Sequence, residues 1–99
     1  MDVHELRRSL APDRPPARAS EPLQALWHDA KGNWERAHVL AQALDDADGA
    51  WVHAYLHRKE GDLPNADYWY RRAKRKRPQA ALESEWEEIA AALLAKQTA

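Results

Sequence analysis

Apolar residues recur along this chain at the spacing of an α-helix, and no segment shows the alternation of a half-buried strand. Leu6 and Leu10 stand four apart in a short first segment, residues 2–10. The stretch "APDRPPARASEP" follows, with four Pro and no period, and reads as an extended linker. Leu23, Leu26, Trp27 and Ala30 then share one stripe, predicting a helix that Ser20 caps and that runs to about Lys31. Pro22 falls in its first turn, where a missing N–H costs nothing, and Gly32 stops it. Asn33 caps the next helix, with Trp34, Ala37, Leu40, Ala41 and Leu44 as its inner face. "DDADG" breaks that helix, and Asp48 is the expected cap of a third, Gly49 to Glu60, closed by Gly61. Asp62 caps a fourth, with Pro64 in its first turn and Leu63, Ala66, Trp69, Tyr70 and Ala73 inward. "KRKRPQ" interrupts the pattern before a last helix, about 79–96, whose stripe is Leu82, Trp86, Ile89 and Leu93.

The expected fold is therefore all-α, with five main helices in one domain over residues 20–99. Residues 1–19 are expected to be a flexible N-terminal arm, a short helix plus a Pro-rich linker, that folds over the domain. The length of 99 residues suits one domain with a modest core. Phe is absent and there are five Trp, so the large core residues are Trp, Leu and Tyr. Indole N–H and phenol O–H groups need partners when buried, and the core is expected to contain side-chain hydrogen bonds.

A net charge of −1 gives no global field to recruit nucleic acid or an anionic membrane. The absence of Cys removes disulfides, thiolate nucleophiles and Cys-ligated zinc together, and fits a reducing compartment. No run approaches the roughly 18 apolar residues of a membrane span, and "MDVHELRRSL" lacks the apolar core of a signal peptide, so the cytoplasm is the expected location and no membrane partner is expected.

Two stretches align: "LWHDAKGNWERAHVLAQAL" and "YLHRKEGDLPNADYWYRRA". Gly32 falls on Gly61, an offset of 29 residues, with His28 on His57, Asn33 on Asp62, Trp34 on Leu63, Ala37 on Ala66 and Leu44 on Ala73. Each unit reads as helix, Gly-Asn/Asp turn, helix, a hairpin that buries its apolar face only by stacking. Through Gly61-Asp62-Leu63, Ala66, Tyr70, Ala73 and Pro78, the second unit resembles the tetratricopeptide-repeat group; the first matches at Gly32, Trp34, Ala37 and Leu44, with Ala41 where a large aromatic usually sits. The period is shorter than that family's, about 34 residues. The family's apolar first-helix positions fall here on Gln24, His28, His53 and His57. "WVHAYLHRKEGD" also resembles a group of short bacterial proteins, a likeness that brings no function with it. The resemblance implies two stacked hairpins with the last helix as a C-terminal cap. If Leu82, Trp86, Ile89 and Leu93 stay uncovered, they become a homodimer seam instead.

Candidate chemistry gathers at residues 50–73. His53, His57 and Glu60 lie at i, i+4 and i+7, one above another on a helix, while Trp51, Val52, Tyr55 and Leu56 cover most of the remaining circumference. Two His at i,i+4 can hold one zinc ion, with Glu60 or His28 as a third ligand, although "HAYLH" lacks the Glu of the HExxH hydrolase motif. The favoured alternative is structural: these His bond Tyr hydroxyls, carboxylates or helix-end carbonyls in the seam between helices. No cofactor is expected on that reading, and zinc or another divalent metal on the other. If the hairpins stack, His28 and His57 become near neighbours.

The resemblance also implies a concave peptide-binding surface made by first helices, which here places Trp51, Tyr55, Arg58 and Lys59 in the groove with Pro22, Leu26, Asp29 and Ala30. It implies a small protein- or peptide-interaction module, its aromatic pair and two cations suiting an acidic or C-terminal carboxylate peptide. The competing expectation puts Trp51 and Tyr55 in the core. "RRAKRKR", Arg71 to Arg77, holds six basic residues in seven. Arg75, Lys76 and Arg77 are the nucleic-acid candidates, set against the simpler role of cations at a helix's negative end. No catalytic residue is assigned and the balance is against an enzyme: there is no Gly-rich phosphate loop, Ser9, Ser20 and Ser84 fit no nucleophile motif, and Asp48 reads as a cap before it reads as a calcium ligand.

Overall fold

Six helices form in the computed structural model, which describes residues 1–11, 16 and 18–98. They are α1 (Val3–Arg8), α2 (Glu21–Ala30), α3 (Trp34–Gln42), α4 (Ala47–Glu60), α5 (Leu63–Arg72) and α6 (Leu82–Thr98), and no strand occurs among the described residues. Much of the expected linker lies outside the described residues.

Helix boundaries follow local chemistry. Asn33 Oδ1 accepts from Arg36 N at 3.1 Å and Asp62 Oδ1 from Asn65 N at 3.3 Å, so both expected caps are in place. Ser20 stands at the start of α2, but its side chain makes no capping bond. Gly32 and Gly61 take left-handed φ of 86° and 93°, which ends α2 and α4 without the penalty a Cβ would carry. α4 begins earlier than expected. Asp46, not Asp48, is its cap, accepting from Gly49 N at 2.8 Å, while Asp48 sits in the first turn and pairs with Lys96 Nζ at 2.7 Å. α6 begins later, at Leu82, because the Ala80 carbonyl accepts from the Arg58 guanidinium instead of starting a helical ladder.

Consecutive helices pair, α2 with α3 and α4 with α5; α3 packs on α4, and α6 lies across α2 and α4. α4 is the central element: Gly49 through His57 are all buried. An apolar circumference of this kind belongs to a helix enclosed by others. Ala37, Ala41, Ala66 and Ala73 are the small buried residues of α3, α5 and the α5 end, while Leu23, Leu26 and Trp27 of α2 and Trp86, Ile89 and Leu93 of α6 supply bulk. Ala30 and Leu63, expected inside, are exposed. The α6 stripe is covered within the chain except for half-buried Leu82, so the condition for a dimer seam along it is not met.

The arm is docked rather than loose along α1. Leu6 is fully buried, Arg7 reaches Glu87 at 2.9 Å on α6, Ser9 Oγ accepts from Trp27 Nε1 at 3.0 Å, and the Leu10 carbonyl accepts from Lys31 Nζ at 2.7 Å. Indoles find partners as expected: half-buried Trp34 Nε1 donates to the Leu56 carbonyl at 2.9 Å and buried Trp86 Nε1 to the Leu26 carbonyl at 3.1 Å.

Glu85 keys α6 to the rest. Only 1% exposed, it accepts from Tyr70 Oη at 2.6 Å (Oε2), from Arg58 Nη1 at 2.8 Å (Oε1) and from Trp51 Nε1 at 3.4 Å (Oε2). One buried carboxylate thus joins α4, α5 and α6, its charge offset by a guanidinium and its lone pairs filled.

Candidate metal centre

His38 on α3 and His53 and His57 on α4 face one another across the α3–α4 contact. Their ring centroids are 4.7 Å apart for His38–His53, 5.1 Å for His38–His57 and 4.8 Å for His53–His57. Each residue offers a nitrogen, and the three ligand atoms lie within 4.8 Å of one another. The i,i+4 spacing on α4 sets two of the rings one above the other. Aromatic planes hold the cluster in place: His38 stacks on Trp34 at 4.8 Å and 9°, and His53 on Trp69 at 4.0 Å and 19°.

Ring protonation follows from the partners. Glu60 Oε2 lies 2.5 Å from His57 Nδ1. A carboxylate only accepts, so Nδ1 carries a proton, and in the neutral ring the lone pair is on His57 Nε2. His53 Nε2 and His38 Nε2 are 3.0 Å apart, which allows one proton between them. His53 Nδ1 is buried without a partner. A bare acceptor there is less costly than a stranded donor, which favours His53 Nε2–H donating to His38. Burial holds His53 down to about 4, with His38 and His57 nearby acting the same way, and burial also lowers His38. At neutral pH both imidazoles are uncharged and available as ligands.

Of the residues the sequence singled out, His53, His57 and Glu60 come together. His28 does not join them: it packs edge-on to Trp27, and burial and Arg36 lower its pKa. His38 takes that place, and sequence reasoning missed it. It lies four residues after Trp34 and beside Ala37, on the flank of the inner face, and the expected 29-residue offset gave no pointer because it pairs His38 with Asp67.

The first-helix surface behaves differently. Trp51 and Tyr55 are both 3% exposed and belong to the core, as the competing expectation had it. Arg58 is held by Glu85, and Lys59 Nζ meets Asp29 Oδ1 at 3.0 Å. α1 and α6 flank what was expected to be an open groove, leaving an open hollow of about 320 Å³ in which Asp29, Ala30, Tyr55 and Lys59 meet Arg7, Leu10 and Trp86. Asp29 is 2% exposed, and burial raises its pKa against the opposing pull of Lys59 and the Tyr55 hydroxyl. Arg75, Lys76 and Arg77 are exposed. No helix among the described residues is long and apolar enough to cross a membrane.

No protein family, no curated protein and no solved structure matches this chain.

Proposed function

We propose that this protein is a small helical metal-binding module in which His38, His53 and His57 hold a divalent ion of the zinc type. The observation that carries the reading is the approach of His38 Nε2 and His53 Nε2 to 3.0 Å with His57 closing the set. Two nitrogens bound tetrahedrally at roughly 2.0–2.1 Å from zinc stand about 3.3 Å apart, so the pair needs to open by only a few tenths of an ångström. Glu60 supports His57 in the manner of a carboxylate–histidine–metal chain, orienting the ring and strengthening Nε2 as a donor. His53 has no such support: the metal would move its proton to Nδ1, where nothing accepts it. A missing partner of that kind costs roughly 10–100-fold in affinity, so binding is expected to be weaker than at a fully supported site. Three protein ligands leave one coordination position for water or a further ligand.

Titration calorimetry with zinc at pH 7 tests this. One ion should bind per chain, and His38→Ala and His57→Ala should each abolish saturable binding while leaving a folded helical protein. Heats unchanged by both substitutions would reject the site.

The interaction module keeps one supporting observation, the open hollow beside the buried Asp29 carboxylate. Its size suits a small ligand, or one anchoring side chain of a protein partner, rather than a length of peptide.

A further inference from the structure

The basic run at the end of α5 does not form one stripe. Arg72 and Lys74 turn to one side, lining a hollow with Asp45 and Asp46. Arg71, Arg75, Lys76 and Arg77 turn to the other, where with Arg58 they line a cavity of about 710 Å³. The acid among the described lining residues, Asp67, is already bonded to Arg77 Nε at 2.9 Å.

The ordinary role for cations here would be to satisfy the last carbonyls of α5. Three of the last four carbonyls are already taken by backbone: Ala73 N donates to Trp69 O, Lys74 N to Arg71 O and Arg75 N to Tyr70 O, at 2.9, 3.0 and 2.9 Å. To close this cap Lys74 adopts a φ of 60°, the one positive value at a non-glycine residue among those described, at a place where glycine is usual. The side chains that follow are thereby free to turn into the cavity.

Three guanidiniums around it are held in place before any ligand arrives. Arg58 is bonded to Glu85 and the Ala80 carbonyl, Arg77 to Asp67, and Arg75 lies over the Trp51 ring with its guanidinium carbon 3.4 Å from the centroid. Glu85 and Asp67 offset the charges of Arg58 and Arg77, so the positive charge open to a ligand comes from Arg71, Arg75 and Lys76, with Arg75 held flat as a planar fork that matches phosphate oxygens and loses little freedom on binding.

We infer that this cavity, formed by the end of α5, the segment after it and Arg58 of α4, binds the phosphate chain of a small oligophosphate. Cations gathered around one open hollow suit a compact polyanion, whereas a nucleic-acid backbone is tracked by cations spread along a surface. The site is separate from the histidine cluster and does not depend on it.

The test is calorimetric titration of the whole protein with inorganic triphosphate at low salt, repeated with a nucleoside triphosphate and with a single-stranded RNA oligomer. The exposed pair Arg75→Gln/Lys76→Gln is the variant, its fold checked by circular dichroism; Arg71→Gln is the second. Saturable one-to-one binding of triphosphate, weakened about tenfold or more by the double variant and falling as salt rises, is the expected result. Equal binding of the nucleotide places recognition in the phosphates, and tighter nucleotide binding adds a base or sugar contact; both support the inference. No binding of triphosphate at millimolar concentration, binding unaffected by either variant, or binding of RNA alone would overturn it.

Discussion

Replacing Glu85 by Leu removes the acceptor at the centre of the α4–α5–α6 contact while keeping the position filled. Tyr70 Oη and Trp51 Nε1 lose the carboxylate they donate to at 2.6 and 3.4 Å, and Arg58, whose side chain is 14% exposed, loses its ion partner at 2.8 Å. Breaking a buried pair from one side costs about 3–5 kcal/mol, and a stranded neutral donor such as the Tyr70 hydroxyl about 1–3 kcal/mol. The buried Leu returns about 1.5–3 kcal/mol. The net loss expected is about 3 kcal/mol, a large share of the roughly 5–15 kcal/mol that holds a domain of this size together. Urea unfolding followed by Trp fluorescence measures it, and the melting temperature should fall by roughly 10–25 °C. Arg58→Met completes a double-mutant cycle: with the cation gone as well, the double variant should recover about 2 kcal/mol relative to the sum of the single losses. A Glu85→Leu protein within about 1 kcal/mol of the parent, or a cycle that simply adds, would refute the placement of this carboxylate at the hub.

Two further outcomes follow from the packing around α4. In the metal-free protein, His53 takes a proton only near pH 4, against about 6.5 when unfolded, so the unfolded chain binds more protons in that window and stability falls as the pH drops from about 6.5 towards 4. The loss is about 3 kcal/mol across the window, and chemical unfolding as a function of pH should show it in the parent and a flatter profile in His53→Leu. Gly49→Ala, in an open helix, would gain up to about 1 kcal/mol. Here the new Cβ would stand 2.4 Å from Leu44 Cβ, a position fixed by the backbone, so thermal melting should show a loss of about 1–3 kcal/mol.

Most of the fold was legible because it rests on period and punctuation. Gly32, Asn33, Gly61 and Asp62 mark turns that only a few residue types make, and the stripes of α2 and α6 point one way. The boundaries that moved did so for reasons outside the local pattern: Arg58 reaches across from α4 to take the Ala80 carbonyl, and two aspartates two residues apart compete for the α4 cap. The site was legible in half. An i,i+4 His pair announces itself on one helix, but its third member comes from another, and His38 sits where an exposed flank is equally plausible from sequence. Glu85 carried a signal that was there to be used: it falls three residues after Leu82 and four before Ile89, on the apolar stripe, where an unpaired carboxylate would not be tolerated. The first-helix surface stayed open between core and groove in the sequence, because nothing in a hairpin pattern says what a flanking helix will lie against; the burial of Trp51 and Tyr55 places them in the core.

The central claim is that three imidazoles from α3 and α4 share one metal ion, and long-range proton–nitrogen NMR of the histidine rings during a zinc titration tests it most directly. The account predicts that the ring nitrogens of His38, His53 and His57 move together to metal-bound shifts at one equivalent, His57 staying protonated at Nδ1 against Glu60, while His4 and His28 keep their metal-free signals. Zinc that leaves the three rings unchanged, or that perturbs His4 or His28 instead, would contradict it and leave the cluster as a packed seam of hydrogen-bonded histidines.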